Sequence, residues 1–124
     1  MWSLSAVHFP DLKNGWAVGF NGELLRSRDG GATWERQESP AKSWLTSVLF
    51  DGSGRGWIAA QKQLLVSGDG GDSWKPVPLE ENLFLRQIVR VNDDLWAIGD
   101  FGVVRQTDKG LELRSVATML APVS

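Results

Sequence analysis

With 124 residues the chain is long enough for a real hydrophobic core but short for most multi-bladed folds. Thirteen basic against 15 acidic residues leave a formal charge of -2, which points to neither nucleic acid nor an anionic membrane, and the absence of cysteine removes disulfide frameworks and thiol-based zinc or redox chemistry. No apolar run approaches the roughly 20 residues that span a bilayer as a helix.

Along the chain, Met1-Trp2-Ser3-Leu4 lacks a basic segment followed by a long apolar one, so no signal peptide is expected in it. Ala6-Val7-His8-Phe9 reads as a first short strand, Gly15-Trp16-Ala17-Val18-Gly19 as a second and Gly22-Glu23-Leu24-Leu25 as the approach to a third. The turn Ser27-Arg28-Asp29-Gly30-Gly31-Ala32-Thr33-Trp34 follows. The same succession returns as Ser47-Val48-Leu49-Phe50, Gly56-Trp57-Ile58-Ala59-Ala60 and Ser67-Gly68-Asp69-Gly70-Gly71-Asp72-Ser73-Trp74. It returns again as Val89-Arg90-Val91, Leu95-Trp96-Ala97-Ile98-Gly99 and a worn turn, Gln106-Thr107-Asp108-Lys109-Gly110-Leu111, that has lost the Ser and the Trp. The strand tryptophans lie 41 and 39 residues apart, the turn aspartates 40 and 39.

In the second copy the strands are expected at Leu45–Phe50, Gly56–Ala60, Gln63–Ser67 and Ser73–Val77, separated by Gly- and Asp-rich turns. No stretch holds the 3.6-residue period of a helix for more than a turn or two. Four strands per 40 residues, repeated, is the arithmetic of a propeller blade. The expected fold is therefore all-β: three four-stranded antiparallel repeats at about 1–40, 41–80 and 81–120 in a single propeller segment, 1–124, either a partial propeller or half of a six-bladed ring.

The turn pattern Ser-x-Asp-x-Gly-x-Thr-Trp resembles the Asp box, or bacterial neuraminidase repeat. Its positions here are Ser27, Asp29, Gly31 and Trp34; Ser67, Asp69, Gly71 and Trp74; and, in the worn copy, Asp108 and Gly110. These are expected to be structural: the acid accepts N–H bonds inside its own turn, the glycines supply positive φ, and the tryptophan covers the turn. An isolated acid flanked by glycine lacks the ligand count calcium needs. The order of elements, an apolar strand, Gly-Trp-Ala-Val-Gly, Gly-Glu-Leu-Leu and then the box, is similar to the photosystem II stability/assembly factor-like propeller family. Ala60 and Gln63 and the degraded third box depart from that pattern. The resemblance implies a binding propeller without cofactors, periplasmic or thylakoid-lumenal, that holds a partner protein.

Asp-box propellers also include glycoside hydrolases, so catalysis must be weighed. A sialidase needs a tyrosine nucleophile, and this chain has no tyrosine. His8 is the sole histidine, too few for a histidine triad or a multi-histidine metal site. The expectation is a non-enzymatic scaffold, with a carbohydrate-binding module or a piece of a glycosidase-type propeller as the alternative. The turns between second and third strands and the connectors between blades share one end of the sheets, opposite the boxes. That end offers Trp2, Phe20, Trp44, Lys62, Phe84, Arg86 and Phe101 as a candidate binding face. Arg90 joins them if Arg86 and Arg90 line a central channel. The aromatics serve equally well, on this reading, as plugs between blades. Three blades do not close a ring, so the closing partners considered are a second copy, giving six blades, or blades of a longer chain.

Overall fold

The computed structural model describes residues 3–79, 84–92, 94–100, 102–107 and 110–115. They form three four-stranded antiparallel sheets, each a simple meander. The first comprises β1 (Leu4–His8), β2 (Gly15–Gly19), β3 (Leu24–Ser27) and β4 (Glu35–Arg36). The second comprises β5 (Leu45–Phe50), β6 (Gly56–Ala60), β7 (Gln63–Ser67) and β8 (Lys75–Pro78). The third comprises β9 (Leu85–Val91), β10 (Asp94–Gly99), β11 (Gly102–Thr107) and β12 (Gly110–Ser115). In the second sheet β8 starts two residues later than the sequence suggests, because the Ser73 amide and hydroxyl are taken up by Asp69 in the preceding turn.

The sheets stack face to face, and alternation along each strand sends successive side chains to opposite neighbours. Trp16, Val18 and Leu24 of the first sheet share one core with Leu45, Val48, Phe50, Ile58 and Leu65 of the second. Trp57, Ala59 and Leu64, from the other face of the second sheet, share the next core with Leu85, Ile88, Leu95, Ala97 and Val104 of the third. The middle sheet is therefore apolar on both faces, which explains why β6 is buried at every position. Inner strands are also cross-linked by polar groups: Thr46 Oγ1 donates to the Leu85 carbonyl at 2.8 Å, and the Ile88 amide donates to Ser47 Oγ at 3.2 Å.

The glycine ahead of each strand tryptophan has a steric cause. A Cβ on Gly15 would lie 2.4 Å from the Phe9 ring, and one on Gly56 would lie 2.4 Å from the Phe50 ring. The third sheet changes both members together. Leu95 replaces the glycine and pairs directly with Arg90, which stands where Phe9 and Phe50 stand in the other sheets.

Candidate functional site

At one end of the stack lie the β1–β2 and β3–β4 turns of each complete repeat. Their amides are tied to one another, Gly30 to the Lys13 carbonyl and Gly70 to the Gly54 carbonyl, both at 2.9 Å. The two Asp boxes here are near copies. Ser27 Oγ donates to Asp29 Oδ1 (2.9 Å) and accepts from the Gly31 amide (2.8 Å), and Asp29 also accepts from the Thr33 amide (2.9 Å) and hydroxyl (2.6 Å). Ser67, Asp69, Gly71 and Ser73 repeat this with bonds of 2.8, 2.9, 3.0 and 2.6 Å. The hydroxyl, amide and serine bonds all favour the ionised acid, and they hold Asp29 and Asp69 down to about 2. With both oxygens committed inside the turn, neither acid is aimed at a substrate. Gly30 and Gly31, at φ 74° and 95°, and Gly70 and Gly71, at 74° and 91°, occupy the left-handed region that admits this loop.

What differs is the surroundings. Trp16 of the first sheet lies directly on the second box, so close that a Cβ on Gly71 would sit 2.2 Å from its ring. Trp74 meets Trp16 edge-on at 5.8 Å and Phe50 at 5.6 Å, while Phe50 stacks on Trp16 at 5.4 Å. Arg26 covers the other face of Trp16, 4.7 Å from its centre, and reaches across the joint to Asp72 at 2.8 Å. Sequence reasoning had no access to this contact, since it joins residues more than 40 positions apart. Among the described residues the first box has its own Phe9–Trp34 edge contact at 5.8 Å and the Trp34 Nε1 bond to the Gly31 carbonyl at 3.1 Å. In the third sheet Thr107 pairs with Gly110, so Gly110 opens a strand instead of sitting within a long box loop. Asp108 lies outside the described residues.

The other end of the stack carries the connectors and the β2–β3 and β6–β7 turns, tied by the Gly22 amide to Ser43 (2.8 Å) and the Leu79 amide to Lys62 (3.4 Å). Here the structure brings Phe20 and Trp44 into a stack with centres 4.6 Å apart, and Trp44 Nε1 donates to Ser5 Oγ at 2.6 Å across the joint between sheets. Trp44 also lines a small cavity with Thr46, Gln61, Phe84, Leu85, Arg86 and Asp100 at the second joint. Arg86 and Asp100 form a two-point ion pair, with Nη2 to Oδ2 at 3.1 Å, which pushes the guanidinium further up. Lys62 is exposed in the adjoining β6–β7 turn. Trp2 and Phe101 lie outside the described residues. Arg90 does not join this group. It sits near the far end of β9, its Nε donating to the Asn92 carbonyl at 3.2 Å, roughly 13 Å along the strand from Arg86 at about 3.3 Å per residue.

Among the described residues no group of three or more acidic or histidine side chains is placed to hold a metal ion. No helix is long and apolar enough to cross a membrane.

Residues 3–110 match the family described as Photosynthesis system II assembly factor YCF48. The chain belongs to that family. It is 37% identical over 82 residues to the photosystem II assembly lipoprotein Ycf48 of Synechococcus sp. (strain CC9902), covering 62% of this chain and 24% of that protein. It is 30% identical over 88 residues to the chloroplastic photosystem II stability/assembly factor HCF136 of Arabidopsis thaliana, covering 64% and 22%. Among solved structures, YCF48 bound to D1 peptide superposes with a TM-score of 0.78 at 31% identity, covering 91% of this chain and 40% of that one. YCF48 from Cyanidioschyzon merolae superposes at 0.76 with 22% identity, covering 92% and 37%, a likeness of fold alone. The three sheets are blades of a Ycf48-type β-propeller, and the chain spans about a quarter of the length of the curated relatives it matches.

Proposed function

We propose that this chain is a non-enzymatic binding propeller segment that holds a peptide of a partner protein at the connector end of its sheets. The supporting observation is the clustering there of Phe20, Trp44, Phe84 and the Arg86–Asp100 pair around the joint between neighbouring sheets. A relative similar over most of this chain is a structure of YCF48 bound to D1 peptide, which makes D1-derived peptides the rational first probe. Aromatic faces beside an arginine supply the amphipathic contacts that anchor peptide interfaces. The acids that a hydrolase would use are, in the two boxes, fully engaged by their own turns. The family likeness supports a working compartment on the periplasmic or lumenal side, and the segment 1–124 acts as one unit in this reading.

The test is fluorescence anisotropy with labelled D1-derived peptides. Saturable binding that W44A and R86Q each weaken by about tenfold, an ordinary loss for an interface anchor, supports the reading. Binding unaffected by both substitutions, or saturable binding of glycans instead of any peptide, contradicts it.

A further inference from the structure

The first sheet presents, on the side away from the second, the same set of positions that the second sheet uses to receive its neighbour. Strand registers equate Leu4, Val7, Ala17 and Leu25 with Leu45, Val48, Ile58 and Leu65, and the boxes equate Trp34 with Trp74. In the second sheet these residues are packed against Trp16, Val18 and Leu24. In the first they line an open groove of about 400 Å³, with Leu4 51%, Val7 61% and Trp34 37% exposed. A Cβ on Gly31 would meet nothing closer than 3.4 Å, where one on Gly71 would strike a tryptophan. The groove is an empty tryptophan seat.

The far face of the third sheet carries the complementary half. By register Trp96, Ile98, Val103 and Arg105 are the counterparts of Trp16, Val18, Leu24 and Arg26, and Arg105 covers Trp96 at 5.3 Å as Arg26 covers Trp16. The middle sheet, whose neighbour has a short hairpin where the box would be, has Val66 in place of the arginine, and its Trp57 Nε1 bonds to Gln106 instead. At the first joint the tryptophan that meets a box is covered by Arg26, from the third strand of its own sheet, whereas at the second joint Trp57 is covered by Arg55, from the turn ahead of its own strand, at 5.5 Å.

Charge selects the occupant further. At the first joint the arginine finds its carboxylate on the receiving box, Asp72. The first box has Ala32 at that position, while Arg105 pairs with Asp94 in its own sheet, where the first sheet has Asn14. A seat without a carboxylate matches an arginine that brings its own. We propose that the groove on the first sheet receives the Trp96–Arg105 face of a second copy of this chain, head to tail, by the joint already seen between its first two sheets. This is independent of the peptide reading.

The test is absolute mass of the 124-residue chain across concentration by light scattering, with circular dichroism to confirm folding. Val7 and Ile98 are both exposed, and they correspond to Val48 and Val18 respectively, which share one core. We expect a dimer of the 13.7 kDa chain. V7K and I98E should each weaken association by at least about tenfold, through burial of an unpaired charge, and the V7K/I98E double variant should restore it. A ladder of larger oligomers with the same sensitivities supports the joint equally. A monomer at every concentration, association indifferent to I98E, or a double variant no better than the singles overturns it.

Discussion

The two Asp boxes make nearly the same hydrogen bonds and meet different neighbours, so comparing them separates what the motif does alone from what its surroundings add. Locally each is a turn in which one carboxylate and one serine hydroxyl satisfy the amides of a left-handed loop. The second box is in addition a floor, because Gly71 leaves room for the Trp16 ring against it and Asp72 takes the charge of Arg26. The first box has the matching glycine, Gly31, uncovered, and Ala32 where the second has Asp72. A motif conventionally read as a hairpin lock thus also acts in this chain as the receiving surface for the neighbouring sheet.

The sharpest way to break the comparison is to remove the rings. In the I98E background, where the first box stays uncovered, W16A should cost about 3–5 kcal/mol in urea unfolding, the ordinary loss for a buried tryptophan, whereas W34A should cost under about 1 kcal/mol. Equal losses would mean that the joint adds nothing to the box. Next come the glycines, in the same background. G31A and G71A both place a side chain at positive φ, at about 1–2 kcal/mol, but G71A also drives a Cβ into Trp16. It should exceed G31A by a further 1–3 kcal/mol or so, in the range of overpacking.

The arginine supplies a smaller and asymmetric effect. Arg26 is buried while Asp72 is largely exposed, so D72N strands a buried cation and should cost about 1–3 kcal/mol. R26M removes the cation and keeps the packing on Trp16, so it should come within about 1 kcal/mol of the parent. Thermal unfolding of the two variants decides their order.

The smallest differences are expected in acid. Asp29 and Asp69 sit at about 2 in the fold against an ordinary 3.8, so their contribution is complete above 3.8 and is lost as pH falls toward 2. Because the cause is local, carboxyl titrations followed by NMR should give the two boxes the same midpoint, and W16A should move neither. His8 works in the same direction at higher pH. Burial pulls it below 6.5, partly opposed by a bond to the Phe50 backbone, and its Nε2 is buried with no hydrogen-bond partner among the described residues. Stability should therefore decline as pH drops below 6.5, and H8L should flatten that part of the curve.

Much of this architecture is legible in the sequence because the repeats constrain one another. β5, β6 and β7 fall where the alternation and turn residues place them, and β8 starts late because Ser73 and Trp74 belong to the box. The third turn misleads for a physical reason. Asp108 and Gly110 survive as box letters, but without the serine and tryptophan the strands pair on to Thr107 and Gly110. Laying Val89-Arg90-Val91 over Val48-Leu49-Phe50 and Val7-His8-Phe9 sets Arg90 level with Leu49 and His8, one position off the register: Val89 stands opposite Trp96 as Leu49 stands opposite Trp57 and His8 opposite Trp16. The joint swap of Phe-and-Gly for Arg-and-Leu was the signal that would have shown it. Of the connector end, the aromatic positions Phe20, Trp44 and Phe84 could be read from topology, while the Arg86–Asp100 pair and the seat of Trp16 on Gly71 depend on packing that no local pattern encodes.

The central claim, that like boxes differ only by the neighbour laid over them, is tested most directly by native-state hydrogen exchange at the Gly31 and Gly71 amides. Each donates to a serine hydroxyl at nearly equal length, 2.8 and 2.9 Å. In the I98E variant, where the first box stays uncovered, the account predicts that Gly71 exchanges more slowly than Gly31 by about tenfold or more, since exchange there requires the joint to open. Equal rates at the two amides would contradict it.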